Sequence, residues 1–315
     1  MKLGLFTVPL DDRPLSNVQD YAGSLGCEAI ELGAGGYPGN AHCDPERLLR
    51  ESGALQEFAR TVRQSGLEIS ALSCHGNPLH PDHRVANEYD KAFRNAVRLA
   101  GELGVDQVIT FSGCPGDSEN SEKPNWVTCA WPPDFQEVLE WQWTEKVVAY
   151  WRAASDFAAE RGVRIAIEPH PGFVVYNAES FWRLRESVGE TIGVNFDPSN
   201  LFWQQIDPLV SVADFGESIF HVHAKDTYVD PELVARTGVL DTKEHTREGG
   251  RAWVYKVVGR GHGVDFWRTL SQTLDSVGYD GALSIEHEDL TVNPDEGLKE
   301  AADLLTDALA SPDPD

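Results

Sequence analysis

The sequence has few cysteines, and their spacing suits neither a disulfide framework nor a structural zinc site. Its 315 residues include five cysteines, at positions 27, 43, 74, 114 and 129. The number is odd and no Cys-x-x-Cys spacing occurs, which argues against both kinds of site. The sequence also lacks apolar runs of the roughly 18 residues that a membrane helix needs. The segment from Met1 to Val8 predicts a first strand rather than a signal peptide, so we expect a cytoplasmic protein with no membrane partner.

Basic residues are scarce as well. Lys and Arg total 26 against 51 Asp and Glu, which gives a formal net charge of −25. A surface this acidic repels phosphate backbones and anionic lipid headgroups. The charge balance therefore favours a protein with no nucleic-acid partner.

Strand-like and helix-like segments alternate along the whole chain. Several of the strand-like segments are continuous apolar runs, which is typical of parallel strands covered on both faces. The predicted strands are Leu3–Val8, Ala29–Leu32, Leu67–Ser73, Gln107–Phe111, Val163–Glu168, Ile192–Phe196, Ile219–Ala224 and Ala282–Glu286. The predicted helices are Leu15–Leu25, Pro45–Gln64, Asn87–Leu103, Leu139–Arg161, Ala178–Ser187, Pro208–Phe215, Asp265–Val277 and Pro294–Ala310.

Eight strands in strict alternation with eight helices predict an α/β protein with a single (β/α)₈ barrel domain over residues 1–310. Glycine precedes several of the strands, as in Ser65-Gly66-Leu67, where it can end the preceding helix in a left-handed conformation. A doubly wound open sheet is the competing architecture, but the first βα turn, Val8 to Asp11, is not glycine-rich. The tail at 311–315 is predicted to be disordered.

Two of the predicted βα loops are long. Ser112–Glu140 holds Trp126, and Lys225–His262 holds Arg251. In a (β/α)₈ barrel such loops line the active-site face, at the C-terminal ends of the strands.

Four polar residues lie at the C-terminal ends of the last four strands. Glu168 ends the fifth, Asp197 follows the sixth, His223 is near the end of the seventh and Glu286 ends the eighth. Neighbouring strand ends meet at one point of a barrel, and an isolated buried charge is costly. Three carboxylates and one imidazole suit a single divalent ion, with Mn²⁺ preferred and Mg²⁺, Co²⁺ or Zn²⁺ as alternatives.

Each of these four residues alone is a weak signal. An acid at a strand end is often a solvated loop residue or a helix cap, and Asp197 before Pro198 fits that description. His221 and His223 face the same way along their strand, so His221 is a competing ligand. We choose His223 because it is nearer to the strand end.

At these residues the chain resembles the sugar phosphate isomerase/epimerase superfamily, the xylose isomerase-like TIM barrels. This superfamily includes ketose 3-epimerases, inosose dehydratases and endonuclease IV proteins. The resemblance is densest in the blocks Ile167–Gly172, Phe196–Leu201, His221–Asp226 and Ser284–Asp289. It implies that Glu168, Asp197, His223 and Glu286 bind the metal and that Glu168 and Glu286 are catalytic as acid and base.

One position departs from that pattern. Many members carry histidine three residues after the aspartate, where this chain has Asn200. An amide can hydrogen-bond a hydroxyl but is a poor cation ligand and carries no proton. Asn200 therefore argues against a three-zinc nuclease, as does the acidic charge.

The resemblance implies a metal-dependent sugar isomerase or epimerase that removes a proton next to a carbonyl of a small carbohydrate. The segments Pro124–Thr128 and Glu140–Trp143 resemble catalytic subunits of C-glycoside deglycosidases, so a lyase acting on 3-oxo-glycosides is the alternative. A binding barrel without activity is less favoured because both glutamates are intact. Homo-oligomerisation and a small partner subunit both stay open.

Further polar or aromatic side chains at the predicted active-site face are candidates for substrate binding. Each of them has a competing structural role in packing or in a solvated loop. The candidates are His75, Trp126, His170, Asn200, Lys225 and Arg251.

Overall fold

A closed barrel of parallel strands organises the computed structural model, which describes residues 1–244, 246–247 and 249–310. The barrel strands are β1 Lys2–Phe6, β2 Ala29–Gly33, β3 Glu68–Ser73, β4 Gln107–Phe111, β5 Arg164–Glu168, β6 Ile192–Phe196, β7 Ile219–Ala224 and β10 Ala282–Ile285. Their order around the barrel is β1-β10-β7-β6-β5-β4-β3-β2. The predicted single-domain (β/α)₈ barrel is confirmed, and the predicted tail at 311–315 lies outside the described residues.

Continuous apolar sequence produces these strands because helices cover the outside of the barrel and side chains fill its inside. All five residues of β2 and all five of β6 are buried. Neighbouring strands are in a register that sets Leu5 opposite Ile285 and Ser284 opposite His223. Polar residues inside this barrel must therefore find partners on adjacent strands.

The helices surround the barrel but are more numerous in the described residues than the eight predicted. They are α1 Leu15–Ser24, α2 Pro45–Arg50, α3 Ala54–Ser65, α4 His83–Leu103, α5 Pro133–Trp141, α6 Val148–Ala159, α7 Ala178–Val188, α8 Ser199–Phe202, α9 Pro208–Phe215, α10 Pro231–Thr237, α11 Val264–Ser276 and α12 Pro294–Leu309. The predicted helix over 45–64 is two helices, because Gly53 has a left-handed φ of 84° between them. The predicted glycine stop is confirmed at Gly66, which caps α3 with a φ of 77°.

None of the helices in the described part of the chain combines the length and the apolarity that crossing a membrane would take.

A hairpin that the sequence did not reveal lies in the long loop after β7. Its strands are β8 Asp226–Val229 and β9 Trp253–Lys256, which pair antiparallel with Asp226 opposite Lys256. Trp253 stacks on Trp203 with ring centres 4.4 Å apart. This packing fixes the hairpin against the segment that follows β6 and brings Tyr255 to the mouth of the barrel.

The long loop after β4 is held by a buried glutamine in a π-helical turn. The predicted helix over 139–161 is continuous in the structure but contains the π-helix Gln142–Val147 between α5 and α6. The Gln142 side-chain amide donates to the carbonyl oxygens of Gly116 at 2.9 Å and Asn125 at 2.7 Å. Gln142 is fully buried at the start of this π turn, and π turns are frequent at functional sites.

Candidate metal centre and active site

The four residues predicted to bind a metal converge at the C-terminal end of the barrel. Ligand atoms of Glu168, Asp197 and His223 all lie within 4.8 Å of one another. Glu286 joins them, with Oε2 2.8 Å from His223 Nδ1. The first three are almost fully buried and Glu286 has a side-chain exposure of 12%. Parallel strands bring these positions together because each residue lies at or next to the C-terminal end of its strand, at the same edge of the barrel.

The chemistry of this group fits a divalent cation. Burial raises the pKa of Asp197 to about 8, and the negative charges of Glu168 and Glu286 add to the shift, against the positive charge of Lys225. Glu286 Oε2 is buried and, among the described residues, has no hydrogen-bond donor at an acceptable angle. Crowded buried carboxylates and an unsatisfied carboxylate oxygen are what a bound cation relieves. Ligation by Glu168, Asp197, His223 and Glu286 stays a prediction that this geometry favours.

Histidines hold Glu168 in its ionised form. Burial opposes ionisation, but the charges of His75 and His223 outweigh it and lower the pKa of Glu168 to about 2. His75 Nε2 lies 2.9 Å from Glu168 Oε2. Glu168 is therefore an anion with an ordered carboxylate, available as a ligand or as a base.

His223 lies between carboxylates on two sides. Its burial lowers the pKa, but Glu31 and Glu286 raise it well above its usual value. Its Nδ1 faces Glu286, while its Nε2 lies 3.0 Å from Glu31 Oε1. A glutamate carboxylate therefore lies next to each nitrogen of the ring.

Two asparagines order the carboxylates from the inside of the barrel. Asn195 donates its amide to Glu168 Oε2 at 2.9 Å. Asn200 donates its amide to both Glu168 Oε1 and Asp197 Oδ2, each at 3.0 Å. Its carbonyl oxygen accepts a hydrogen bond from the Tyr255 hydroxyl at 3.2 Å. Since each polar atom of Asn200 has a protein partner and the side chain is fully buried, the structure makes it a positioning group rather than a substrate contact.

Lys225 forms one wall of the site. Its ammonium lies 3.2 Å from Glu286 Oε1 and 3.0 Å from Glu288 Oε2, over the Tyr255 ring at 4.3 Å from the ring centre. Burial lowers the pKa of Lys225, but Glu286 and Glu288 raise it well above the usual value. Lys225 is a fixed positive charge beside the carboxylates and is not a nucleophile.

A cavity of about 390 Å³ opens above these residues. Its lining combines a charged floor with aromatic walls. The lining residues are Phe6, Val8, Tyr37, Pro38, His75, Phe111, Glu168, His170, Lys225, Trp253, Tyr255, Glu286 and Glu288. The volume is in the range typical of small-molecule sites.

Of the predicted substrate-binding residues, His75, His170 and Lys225 line this cavity. His170 packs on Phe111 with ring centres 4.8 Å apart, and its Nδ1 lies 2.7 Å from the Pro171 carbonyl oxygen. It is a wall residue, and burial lowers its pKa.

Two predicted substrate-binding residues, Trp126 and Arg251, do not line this cavity. Trp126 packs edge-on against Tyr176, with ring centres 5.5 Å apart. The Arg251 guanidinium donates to the carbonyl oxygens of Glu244 at 2.9 Å and Trp253 at 3.3 Å. Arg251 fastens the loop that carries the hairpin, since its Nε and Nη1 atoms donate to backbone carbonyls.

Sequence reasoning missed Glu31, Asn195 and Tyr255. Glu31 and Asn195 are fully buried polar residues in otherwise apolar strands, which was an available signal. Tyr255 had no such signal, because its contact with Asn200 depends on the hairpin.

The sequence model of the family described as xylose isomerase-like TIM barrel matches residues 19–308. The chain belongs to this family. The curated Bacillus subtilis protein YfiH, described as uncharacterized, is 35% identical to this xylose isomerase-like barrel. The alignment covers 98% of this chain and 100% of YfiH. The rhizopine catabolism protein MocC of Rhizobium meliloti is 29% identical, over 88% of this chain and 75% of MocC. An inosose dehydratase of Geobacillus thermodenitrificans is 28% identical over 42% of this chain and 43% of its own.

Solved structures agree with the fold of this xylose isomerase-like barrel. The probable 3-DHS dehydratase AsbF from Bacillus anthracis has a TM-score of 0.68 at 18% identity, covering 97% of this chain and 99% of AsbF. The IOLI protein with a binding zinc atom has a TM-score of 0.66 at 20% identity, covering 98% of each chain. At these identities the likeness concerns the fold.

Proposed function

We propose that this protein is a divalent metal-dependent enzyme that enolises a small keto-carbohydrate, as an isomerase or epimerase. The observation that carries the proposal is the pair Glu168 and Glu286, two carboxylates on the floor of one cavity and beside one histidine. Relatives named as dehydratases act by name on oxidised cyclic polyols, which supports a carbonyl-bearing substrate.

Glu168, Asp197, His223 and Glu286 are the residues that would hold the ion. A divalent ion supplies charge that polarises carbonyl and hydroxyl oxygens of a bound sugar. Mn²⁺ is the ion we expect, and the zinc in the IOLI structure supports a divalent metal in general.

Glu168 and Glu286 take and return the proton of a carbon next to the carbonyl. Burial opposes ionisation of Glu286, but Lys225 and His223 hold its pKa below the usual range, so it is an anion able to accept a proton. His75 and Asn195 both donate to Glu168 Oε2 and keep that carboxylate in one orientation. Two ordered carboxylates allow removal by one and return by the other.

The cavity walls favour an unphosphorylated sugar. Among the described lining residues, Lys225 is the single Lys or Arg, and Glu286 and Glu288 already neutralise it. Aromatic rings of Tyr37, Phe111 and Trp253 offer apolar faces for the C–H side of a sugar ring. The carboxylates of this cavity would repel a phosphate group, and the one lysine among the described lining residues is already paired with glutamates.

Solvent deuterium incorporation, followed by NMR with Mn²⁺ present, tests this proposal. Free ketoses, inososes and 3-oxo-glycosides are the substrates, and Glu168→Gln and Glu286→Gln are the variants. We expect exchange at a carbon next to the carbonyl in the wild type and a loss of at least about 100-fold in each variant, because general base catalysis is worth this much. Glu288→Gln is the matched control, since Glu288 lines the same cavity outside the predicted ligand set, and should stay within about tenfold.

Exchange that is absent with every substrate, in protein shown to hold metal, would overturn the proposal. Exchange that persists undiminished in Glu286→Gln would remove that residue from the proposed pair.

The second candidate is a lyase that eliminates a group β to the carbonyl after the same proton removal. The relative named inosose dehydratase favours it, since loss of water from an inosose is such an elimination. Product analysis in the same experiment separates the two: an epimer or isomer supports the first candidate, and an unsaturated product supports the second.

A further inference from the structure

Glu31 is a buried carboxylate that faces the back of the predicted metal ligand His223. It lies on β2 with no solvent exposure, on the opposite side of the imidazole from Glu286. Its two oxygens lie 3.0 and 3.1 Å from His223 Nε2. A carboxylate in this environment is costly unless it is paired, so its main partner defines its role.

Two serines fix the Glu31 carboxylate in this direction. Ser284 on β10 donates its hydroxyl to Glu31 Oε2 at 2.7 Å, and Ser73 on β3 donates its hydroxyl to Oε1. Ser284 is directly opposite His223 in the strand register. Serines on two other strands, β3 and β10, therefore hold the Glu31 carboxylate and keep it directed at the imidazole.

The opposite nitrogen of the same ring faces the metal centre. His223 Nδ1 lies 2.8 Å from Glu286 Oε2 and 3.5 Å from Glu168 Oε2. A neutral imidazole binds a metal through the nitrogen without a proton, and a hydrogen bond to the other nitrogen selects that tautomer and fixes the ring. We propose that Glu31 is the positioning residue that holds the His223 proton on Nε2 and so presents Nδ1 to the divalent ion.

This inference rests on the metal centre of the proposed function but not on the reaction. A competing arrangement is a second ion bound by Glu31, His221 and His223, whose ligand atoms also lie close together. His221 does not favour it, because Nδ1 is 3.0 Å from Asn195 Oδ1 and Nε2 is 3.2 Å from Ser70 Oγ. With its nitrogens engaged in this way, His221 supports the barrel interior. Its Nε2 lies 3.8 Å from Glu31 Oε2, beyond hydrogen-bond distance, whereas His223 Nε2 is 3.0 Å from Glu31 Oε1.

Metal binding is the test, measured by calorimetric titration of the metal-free protein with Mn²⁺. Glu31→Leu removes the acceptor at similar size, and Glu31→Gln keeps an acceptor oxygen without the charge. Ser70→Ala is the matched control, because it changes a buried partner of His221 in the same barrel. We expect one ion per wild-type chain, a loss of affinity of about 10–100-fold in Glu31→Leu, a smaller loss in Glu31→Gln, and less than about threefold in Ser70→Ala.

A second readout reports the tautomer directly. In ¹⁵N-histidine-labelled protein loaded with Zn²⁺, which is diamagnetic, the His223 resonances should show a protonated Nε2 and a metal-bound Nδ1 in the wild type. The Glu31→Leu variant should lose the hydrogen-bonded Nε2 signal while circular dichroism shows a folded protein. If Glu31→Leu does not fold, Glu31→Gln carries both measurements.

Unchanged affinity in both Glu31 variants, or a metal-bound Nε2 in the wild type, would overturn the inference. Two ions per wild-type chain, with one lost in Glu31→Gln, would replace it with the second-ion arrangement. Normal metal binding without deuterium exchange on any sugar would leave this inference intact and overturn the proposed reaction alone.

Discussion

Lys225 shows how much a single buried charge organises this site. Its side chain is 5% exposed and lies between Glu286 and Glu288. In sequence it was one basic residue after a strand, a candidate for substrate binding with a competing structural role. The structure pairs it instead with two glutamates from the loop after β10.

We expect Lys225→Met to destabilise the metal-free protein by about 3 kcal/mol, because it leaves buried negative charge without its partner. Urea denaturation measures this free energy of unfolding. Lys299→Met is the control, since the Lys299–Asp303 pair is exposed and should contribute about 0.5 kcal/mol or less. Equal effects of the two substitutions would mean that Lys225 does not compensate Glu286.

Asn200 is a second residue whose role changes with the structure. As a departure from histidine it predicted a different substrate contact. Its amide instead joins Glu168 to Asp197, and its carbonyl oxygen accepts from Tyr255. This side chain orders two predicted ligands and connects them to the hairpin.

At the scale of elements, close backbone approaches position the loops that carry the cavity residues. Gly36 has a φ of +67°, and a Cβ atom there would be 2.0 Å from the His75 carbonyl oxygen. The neighbouring Tyr37 amide donates to that same oxygen at 2.8 Å. The loops after β2 and β3 therefore fit together only without a side chain at position 36.

Gly36→Ala should therefore destabilise the protein by about 3 kcal/mol, from left-handed backbone strain plus the clash. It should also weaken Mn²⁺ binding, because His75 orders Glu168. Gly53→Ala is matched in backbone, with a φ of +84°, but has nothing within 4 Å of the added Cβ. For Gly53→Ala we expect a destabilisation of about 1 kcal/mol, measured by thermal denaturation, and an unchanged metal affinity, measured by titration. Similar results for the two variants would contradict the role given to the His75 contact.

The loop after β4 depends on the π-helical turn. Gln142→Ala removes the donor shared by the carbonyl oxygens of Gly116 and Asn125, and unsatisfied buried groups should cost about 2 kcal/mol. The loop should then open more often, so we expect a Glu-specific protease to cleave after the exposed Glu122 about tenfold faster. Gln136→Ala on the exposed helix α5 is the control and should leave the cleavage rate unchanged.

At the scale of the whole molecule, the predicted ion would connect four barrel strands through side chains at or after their ends. A ligand that binds only the folded state stabilises it by mass action, by about 2.7 kcal/mol at 100 times its Kd. For a chain of this size we expect Mn²⁺ to raise Tm by about 5 °C over the EDTA-treated protein. His223→Gln should abolish most of this rise. A rise of the same size in wild type and His223→Gln would place the bound ion elsewhere.

The acidic surface and the site are separate features of the molecule. The charge of −25 is spread over the whole sequence, whereas the carboxylates of the metal centre are buried and compensated by Lys225 and by histidines. Surface charge therefore acts on what approaches the molecule from solvent, and the buried charges act on the proposed chemistry.

The sequence by itself determined the barrel and the places of its four candidate ligands. Continuous apolar strands alternating with amphipathic helices leave few architectures, and a residue that ends a parallel barrel strand has a fixed place at the rim. Glu168, Asp197, His223 and Glu286 could therefore be grouped without coordinates.

Only the tertiary structure decided which other side chains join them. Glu31 meets His223 across the barrel interior, from a strand 192 positions away in sequence. Tyr255 reaches Asn200 because a hairpin forms inside a loop, and Arg251 donates from Nε and Nη1 to carbonyl oxygens of that same loop. Such contacts depend on register, twist and loop closure, which bring together residues that no local pattern relates.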